Sequence, residues 1–197
     1  MAVEDRLLAL LARQAGGSSD YDLNPGLVLP EGRSLRPAAV LVPVWLCDGQ
    51  ARIILTKRSS HLQHHPGQVA FPGGKIDPGD GSPEAAALRE THEEIGLPTD
   101  RISILGRLPA HETVTGFCVT PVVGMISGPF RPVPEAGEVD EVFTVPLDHL
   151  LTSGNYAIER RRWRGEWRRY YAVPWGPYYI WGATARILRG MADRERG

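Results

Sequence analysis

The segment "RETHEEIGL", Arg89 to Leu97, places Glu90, Glu93 and Glu94 within five residues and stops at Gly96. On a helix, at about 100° per residue, these three carboxylates share one side. Like charges three and four residues apart repel, and in the last turns they also meet the negative end of the helix dipole, each effect costing about a few tenths of a kcal/mol. A face built only for stability would carry lysine there. A hard divalent cation reverses both effects, because Mg²⁺ or Mn²⁺ takes oxygen ligands converging on one point. Taken alone, the helix is equally compatible with a solvated polar face and with a metal site.

Upstream, Gly73 and Gly74 stand at a fixed offset from this helix in "AFPGGKIDPGDGSP". Glycine lets the backbone adopt conformations closed to other residues and approach a ligand closely, so a main-chain carbonyl here could join a metal shell. Lys57 and Arg58, at the end of an apolar strand-like run, suit substrate phosphates or plain surface solubility. His64 and His65 could contact phosphate or exchange protons near neutral pH, although a loop histidine is more often simply exposed. Glu138 and Glu141, in "PEAGEVDEVFTVPL", are further acids at the start of a strand.

These residues need elements to hold them. "PEAAALRETHEEI" begins with Ser82 as a cap and Pro83 at the first helical position and ends at Gly96. Its periodicity puts Leu88, Thr91, His92 and Ile95 on the buried stripe and the three glutamates on the opposite side. "AAVLVPVWLC" and "ARIILTKRS", joined at "DGQ", form a hairpin. "ISILGRLPAHETV", "FCVTPVVGMI" and "EVFTVPL" are strand-like, and "ERRRWRGEWRRYYAV" makes a second hairpin around Arg164 and Gly165. "GATARILRGMADRER" closes the chain as a helix with Ala183, Ile187 and Met191 on one side. Strands and helices out of regular alternation predict an α/β (α+β) sandwich, a mixed β-sheet flanked by helices. Residues 1–36 divide into a short amphipathic helix, bearing Leu7, Leu8, Leu10 and Leu11, and a Gly/Ser/Pro-rich connecting loop; residues 37–197 form the folded domain.

Composition narrows the partners. With 197 residues, 42% hydrophobic, the chain can bury a core as one domain, and a net charge of −1 gives no general attraction to nucleic acid or anionic membranes. No run reaches the roughly 20 apolar residues of a membrane span. The acidic start "MAVEDRLLALLARQAGG" does not fit a signal peptide, which points to the cytoplasm. Cys47 and Cys118, far apart in apolar surroundings, fit buried thiols in a reducing compartment better than a disulfide. The arginine-rich hairpin 159–171, with Trp163, Trp167, Tyr170 and Tyr171, fits a wet edge or a homodimer interface better than an RNA-binding strip.

The run "GGKIDPGDGSPEAAALRETHEEIGL" resembles the signature of the Nudix hydrolases, a glycine loop followed by a helix reading Arg-Glu-x-x-x-Glu-Glu-x-Gly and an apolar residue. Gly74 matches the leading glycine, Arg89 and Glu90 the Arg-Glu pair, Glu93 and Glu94 the paired acids, and Gly96 and Leu97 the ending. Asp80 stands where the general pattern has glutamate, and the spacer from it to Arg89 is one residue longer. Both departures, with "LTKRSSHLQHHPGQVAFPGG" before them and "YYIWGATARIL" at the end, look like the coenzyme A pyrophosphatase branch. Gln63 occupies a position where that branch usually has arginine, and Ile54 replaces a leucine.

The resemblance implies divalent-metal-dependent hydrolysis of coenzyme A or acyl-coenzyme A to 3′,5′-ADP and (acyl-)4′-phosphopantetheine. It implies Glu90 and Glu94 as direct ligands of Mg²⁺ or Mn²⁺, Glu93 as a third or water-mediated ligand, and the Gly73 carbonyl completing the shell. Arg89 would orient Glu93, and Glu93, Glu138 and Glu141 are the candidate general bases. Two other expectations stay open: the same chemistry on another nucleoside diphosphate derivative or a nucleoside triphosphate, and a catalytically weak nucleotide- or RNA-binding protein on the same fold.

Overall fold

The computed structural model describes residues 2–27, 32–62, 65–163 and 165–196. In chain order the elements are α1 (Val3–Ala12), β1 (Ser18–Ser19), β2 (Arg36–Cys47), β3 (Gln50–Arg58), β4 (Val69–Ala70), β5 (Gly73–Lys75) and α2 (Pro83–Ile95). They continue with β6 (Ile102–Arg107), β7 (His111–Glu112), β8 (Phe117–Ile126), β9 (Val139–Pro146), α3 (Leu147–Leu151), β10 (Ala157–Trp163), β11 (Glu166–Ala172) and α4 (Gly182–Arg196).

β2 lies at the centre of a mixed sheet. It runs parallel to β8 and antiparallel to β3 and β5, and β3 in turn pairs with β9 and β4. The reason is in its residues: "AAVLVPVW" is apolar at successive positions, as a strand buried on both faces must be. Ala39 and Leu41 point to one side, toward Ala86, Ala87 and Ile95 of α2, while Val42 and Val44 point to the other, toward α1, α3 and α4. The β2–β3 joint turns at Asp48 and Gly49, whose φ values of 50° and 75° are what a tight hairpin turn needs. The result is the expected mixed sheet flanked by helices.

The opening helix belongs to the second of these cores. Leu7 and Leu10 are 0% and 2% exposed and pack with Ile187, Leu188 and Met191 of α4, whereas Leu8 remains exposed. Arg6 donates to Glu195 at 2.7 Å and to Asp148 at 2.6 Å. The segment that follows is clamped by His111, which is fully buried between Ser18 Oγ at 2.9 Å from Nδ1 and Asp20 Oδ1 at 3.2 Å from Nε2. In α4, Ile187 and Met191 are buried as expected and Ala183 is half-buried; Leu188 and Ala192 widen the apolar stripe.

β10 and β11 form a separate two-stranded hairpin, in register from Ala157↔Ala172 to Trp163↔Glu166. Arg161 lies over Trp181 and Arg160 over Trp167, and Asn24 brackets the backbone of Arg169 with two hydrogen bonds. Cys47 and Cys118 are free, as expected, but half-buried, because each sits at a strand end. Among the described residues no helix is long and apolar enough to cross a membrane.

Candidate active site

Helix α2 forms where the capping residues dictate. Ser82 Oγ accepts from Ala85 N at 3.1 Å, Pro83 opens the first turn, and Gly96 at φ 69° ends the helix with its N–H on the His92 carbonyl. The loop before β9 adds two more bonds at this end, Val133 N to Ile95 O and Glu135 N to Glu94 O, both 2.9 Å.

The buried face differs from the one periodicity assigns. Ala86, Ala87, Thr91, Glu94 and Ile95 are buried, Leu88 is half-buried and His92 exposed. The alanines let the helix approach β2 closely, and the face carrying Ala87 and Thr91 takes Glu94 inward with them. Glu94 is 4% exposed, Glu90 half-buried and Glu93 exposed, so the three carboxylates do not face outward together.

The glycine pair makes room for both carboxylates. Gly73 N donates to Glu94 Oε2 at 3.1 Å. At Gly74 a Cβ would lie 2.6 Å from Glu90 Cδ, so the absent side chain is the space the carboxylate fills. Gly73 itself has φ 146°, and a Cβ there would sit 2.5 Å from Ala39 O and Val40 Cα.

Arg89 organises the outer side. Its Nε and Nη2 donate to the two Asp80 oxygens at 2.7 and 3.0 Å, and Nη1 reaches Glu93 Oε2 at 2.9 Å and Glu90 Oε1 at 3.0 Å. This fork pulls the Asp80 carboxyl down to about 2 and raises Arg89 further above its ordinary range. Asp80 is therefore the anchor of Arg89, a role legible only once the loop is folded back on the helix.

Burial pushes the Glu94 carboxyl from 4.5 up to about 7; the Gly73 N–H and Arg58 oppose this, while Glu138 and Glu90 reinforce it. Burial raises Glu90 as well, with Arg89 opposing and Glu93 and Glu138 adding repulsion. The structure thus brings Arg58 and Glu138 into the electrostatic reach of the pair. Arg58 follows a register shift at the end of β3, its N–H on Gln68 O, and the Glu138 carbonyl accepts from Ser59 N at 2.8 Å.

Glu141 has a different partner. It lies opposite Lys57 in the β3–β9 ladder and accepts a hydrogen bond from the Tyr178 hydroxyl, while the Tyr178 ring stacks on Phe143 with centroids 3.5 Å apart. Tyr178 carries no sequence signal beyond its place in "YYIWGATARIL". His65 is exposed in a turn at φ 55°; Gln63 and His64 lie outside the described residues.

Among the described residues, no three or more His, Cys, Asp or Glu side chains already converge as a metal cage. Glu90 and Glu94 nevertheless fit a cation: a half-buried and a buried carboxylate with raised proton affinity, set against a glycine backbone, are stabilised by neutralisation. Their all-oxygen donor set suits a hard ion such as Mg²⁺ or Mn²⁺ rather than zinc.

The description "NUDIX domain" matches residues 35–167. The uncharacterized Nudix hydrolase NudL of Enterobacter sp. (strain 638) is 45% identical over 157 residues, which is 80% of this chain and 81% of that one. NudL of Salmonella heidelberg (strain SL476), also uncharacterized, is 44% identical over 174 residues, 88% of this chain and 90% of that one. Among solved structures, the Nudix hydrolase RenU of M. smegmatis aligns with a TM-score of 0.50 and 27% identity, covering 59% of this chain and 73% of its own. The MutT/nudix family protein of Enterococcus faecalis shares the fold, with a TM-score of 0.51 and 17% identity over 98% of this chain and 74% of its own. The family match takes in α2, the glycine loop and the strands that hold the glutamates against it, and this chain belongs to the Nudix hydrolases, enzymes that use divalent metal ions on small nucleotide substrates.

Proposed function

We propose that the protein hydrolyses the diphosphate of coenzyme A or acyl-coenzyme A, releasing 3′,5′-ADP and (acyl-)4′-phosphopantetheine. The observation that carries this reading is that the two ends of "LTKRSSHLQHHPGQVAFPGG" meet at the glutamates: Arg58 bears on Glu94 by its charge, and Gly73 donates to Glu94 directly. Both ends of the stretch that resembles the coenzyme A branch therefore border the glutamates.

Glu90 and Glu94 would hold Mg²⁺ or Mn²⁺, with the Gly73 carbonyl and Glu93, directly or through water, completing the shell. When bound, the ion supplies charge neutralisation at the diphosphate and a lower pKa for the attacking water. Arg89, anchored on Asp80, orients Glu93 and Glu90. Arg58 and Lys57 bind phosphate oxygens, and Gly74 gives the diphosphate close access to the backbone. The general base is one of Glu93, Glu138 and Glu141. Two free thiols agree with a reducing, cytoplasmic setting.

The test is product analysis after incubation with coenzyme A, ADP-ribose, NADH and dGTP, each with Mg²⁺ or Mn²⁺. Release of 3',5'-ADP from coenzyme A well ahead of the other products supports the reading. Preference for another substrate moves the chain to a different nucleoside diphosphate specificity, and no turnover at all moves it to a binding role.

A further inference from the structure

Strands β10 and β11 pair only with each other, and their register sorts the side chains onto two faces. One face carries Glu159, Arg161, Glu166, Arg168 and Tyr170; Arg161 lies over Trp181, Arg168 over Tyr21, and the Tyr170 ring meets Trp181 edge-on. The other carries Arg160, Arg162, Trp167 and Arg169, with Ile158 and Tyr171 at its base. Asn24 holds the Arg169 backbone from the outer side of β11, so the hairpin is fixed to the body of the protein.

The second face is electrostatically unfavourable by itself. Arg160 and Arg169 stand directly opposite one another across the ladder, and like charges in that position destabilise a strand pair. Both glutamates of the hairpin point to the first face, and among the described residues no carboxylate pairs with Arg160, Arg162 or Arg169. Trp167 is 62% exposed in their midst, with the Arg160 guanidinium 5.1 Å from its ring centre. Charges that only guard a free strand edge require neither opposed arginines nor an open indole. A two-fold dimer through this face would set three arginines against three more. An anionic membrane takes apolar side chains at one depth, whereas the Arg160 and Arg169 pair separates Ile158 from Trp167.

We propose that this face binds single-stranded nucleic acid, separately from the glutamate centre. Its chemistry selects the partner. The guanidinium groups meet backbone phosphates, which removes the repulsion between Arg160 and Arg169, and the open side of the Trp167 ring takes an unpaired base by stacking. Neither contact reads a base edge, so binding tolerates any sequence, and the phosphates and base rings involved are common to RNA and DNA. A duplex keeps its bases stacked inside and offers the indole nothing. With a net charge of −1, the chain as a whole adds no attraction, so the binding belongs to the hairpin.

The experiment is fluorescence anisotropy of 5′-fluorescein-labelled uridine and thymidine oligomers of about 12 nucleotides with the full chain, in the presence of a chelator so that the glutamate centre carries no metal. Saturable binding of both is expected, with affinities within about threefold of each other. The logarithm of the binding constant should fall against the logarithm of salt concentration with a slope of about −2, for three phosphate contacts. Arg160→Gln, Arg162→Gln and Arg169→Gln each make that slope shallower by about 0.7. Trp167→Ala weakens binding about tenfold and leaves the slope unchanged, while Trp167→Phe keeps most of the affinity. All four side chains are exposed, and a thermal melt confirms that each variant folds. The proposal is overturned by absent saturation, by a slope that the arginine variants leave intact, by polyphosphate binding as tightly as the oligomers, or by duplex binding more tightly than either. Firmer retention on phosphatidylserine vesicles than on the oligomers overturns it as well, as does a dimer that Arg169→Gln dissolves.

Discussion

The Gly73 N–H donates to the Glu94 carboxylate at 3.1 Å, at the bottom of a site where that carboxylate is 4% exposed. One main-chain hydrogen bond does not offset the burial of a full charge, and the Glu94 carboxyl is pushed up to about 7. A cation beside this carboxylate would offset the cost of burying its charge.

That cost has a measurable pH signature in metal-free protein. A carboxyl at about 7 in the folded state and 4.5 when unfolded binds its proton more tightly when folded. Its contribution to stability is full below about pH 4.5 and is lost as pH rises through about 7, on the order of 3 kcal/mol in all. Glu94→Gln should remove this slope and raise the melting temperature of metal-free protein at pH 8, as read by thermal unfolding across pH. A slope unchanged by the substitution would refute the assignment.

Metal addition should reverse the effect. Mn²⁺ at about a hundred times its dissociation constant stabilises the wild type by about 2.7 kcal/mol. Glu94→Gln should show little of this, and its turnover at saturating Mg²⁺ should fall about a hundredfold or more. Turnover within threefold of wild type would show that Glu94 is not a ligand.

The two glycines should respond differently to alanine. At Gly74 the new methyl meets the flexible end of Glu90, so the fold should survive while Mn²⁺ affinity drops about tenfold or more. At Gly73 it meets the backbone of Ala39 and Val40, so stability itself should fall. Paired measurements of melting temperature and Mn²⁺ binding separate the two; matching losses in both would contradict the cradle.

Arg89→Lys should lower kcat with little change in KM, because lysine cannot span both Asp80 oxygens and still reach Glu93. Asp80→Asn should act through the same arginine. The double variant is expected to be no worse than Arg89→Lys alone, and additive losses would separate the two residues.

For the base, pH–rate profiles of Glu93→Gln, Glu138→Gln and Glu141→Gln should single out one residue. Tyr178→Phe should alter the profile only where Glu141 is that residue, since Tyr178 donates to it alone. Equal, small effects in all three glutamine variants would exclude a single side-chain base among them.

The sequence made the limits of α2 legible because Ser82, Pro83 and Gly96 act locally, each through its own backbone. The hairpin at Asp48 and Gly49 was legible for the same reason. The inward turn of Glu94 was not, because periodicity assigns the interior to apolar residues and a buried carboxylate breaks that rule. Asp80 showed only as a departure from a pattern until its loop placed it against Arg89. Tyr178 stands far along the chain from Glu141, and its role arises from tertiary neighbours alone.

The contact between Arg6 and Glu195 bears on how the molecule comes to be folded. Leu7 and Leu10 share a core with Leu188 and Met191, so that core closes only when segments nearly a whole chain apart have met. Closure of so long a loop must precede its reward, which slows folding and leaves the apolar side of the central sheet open in the interim. The same adjacency suits the protein to circular permutation: a short linker joining α1 to α4, with a new opening between β10 and β11, would preserve every strand pairing of the central sheet.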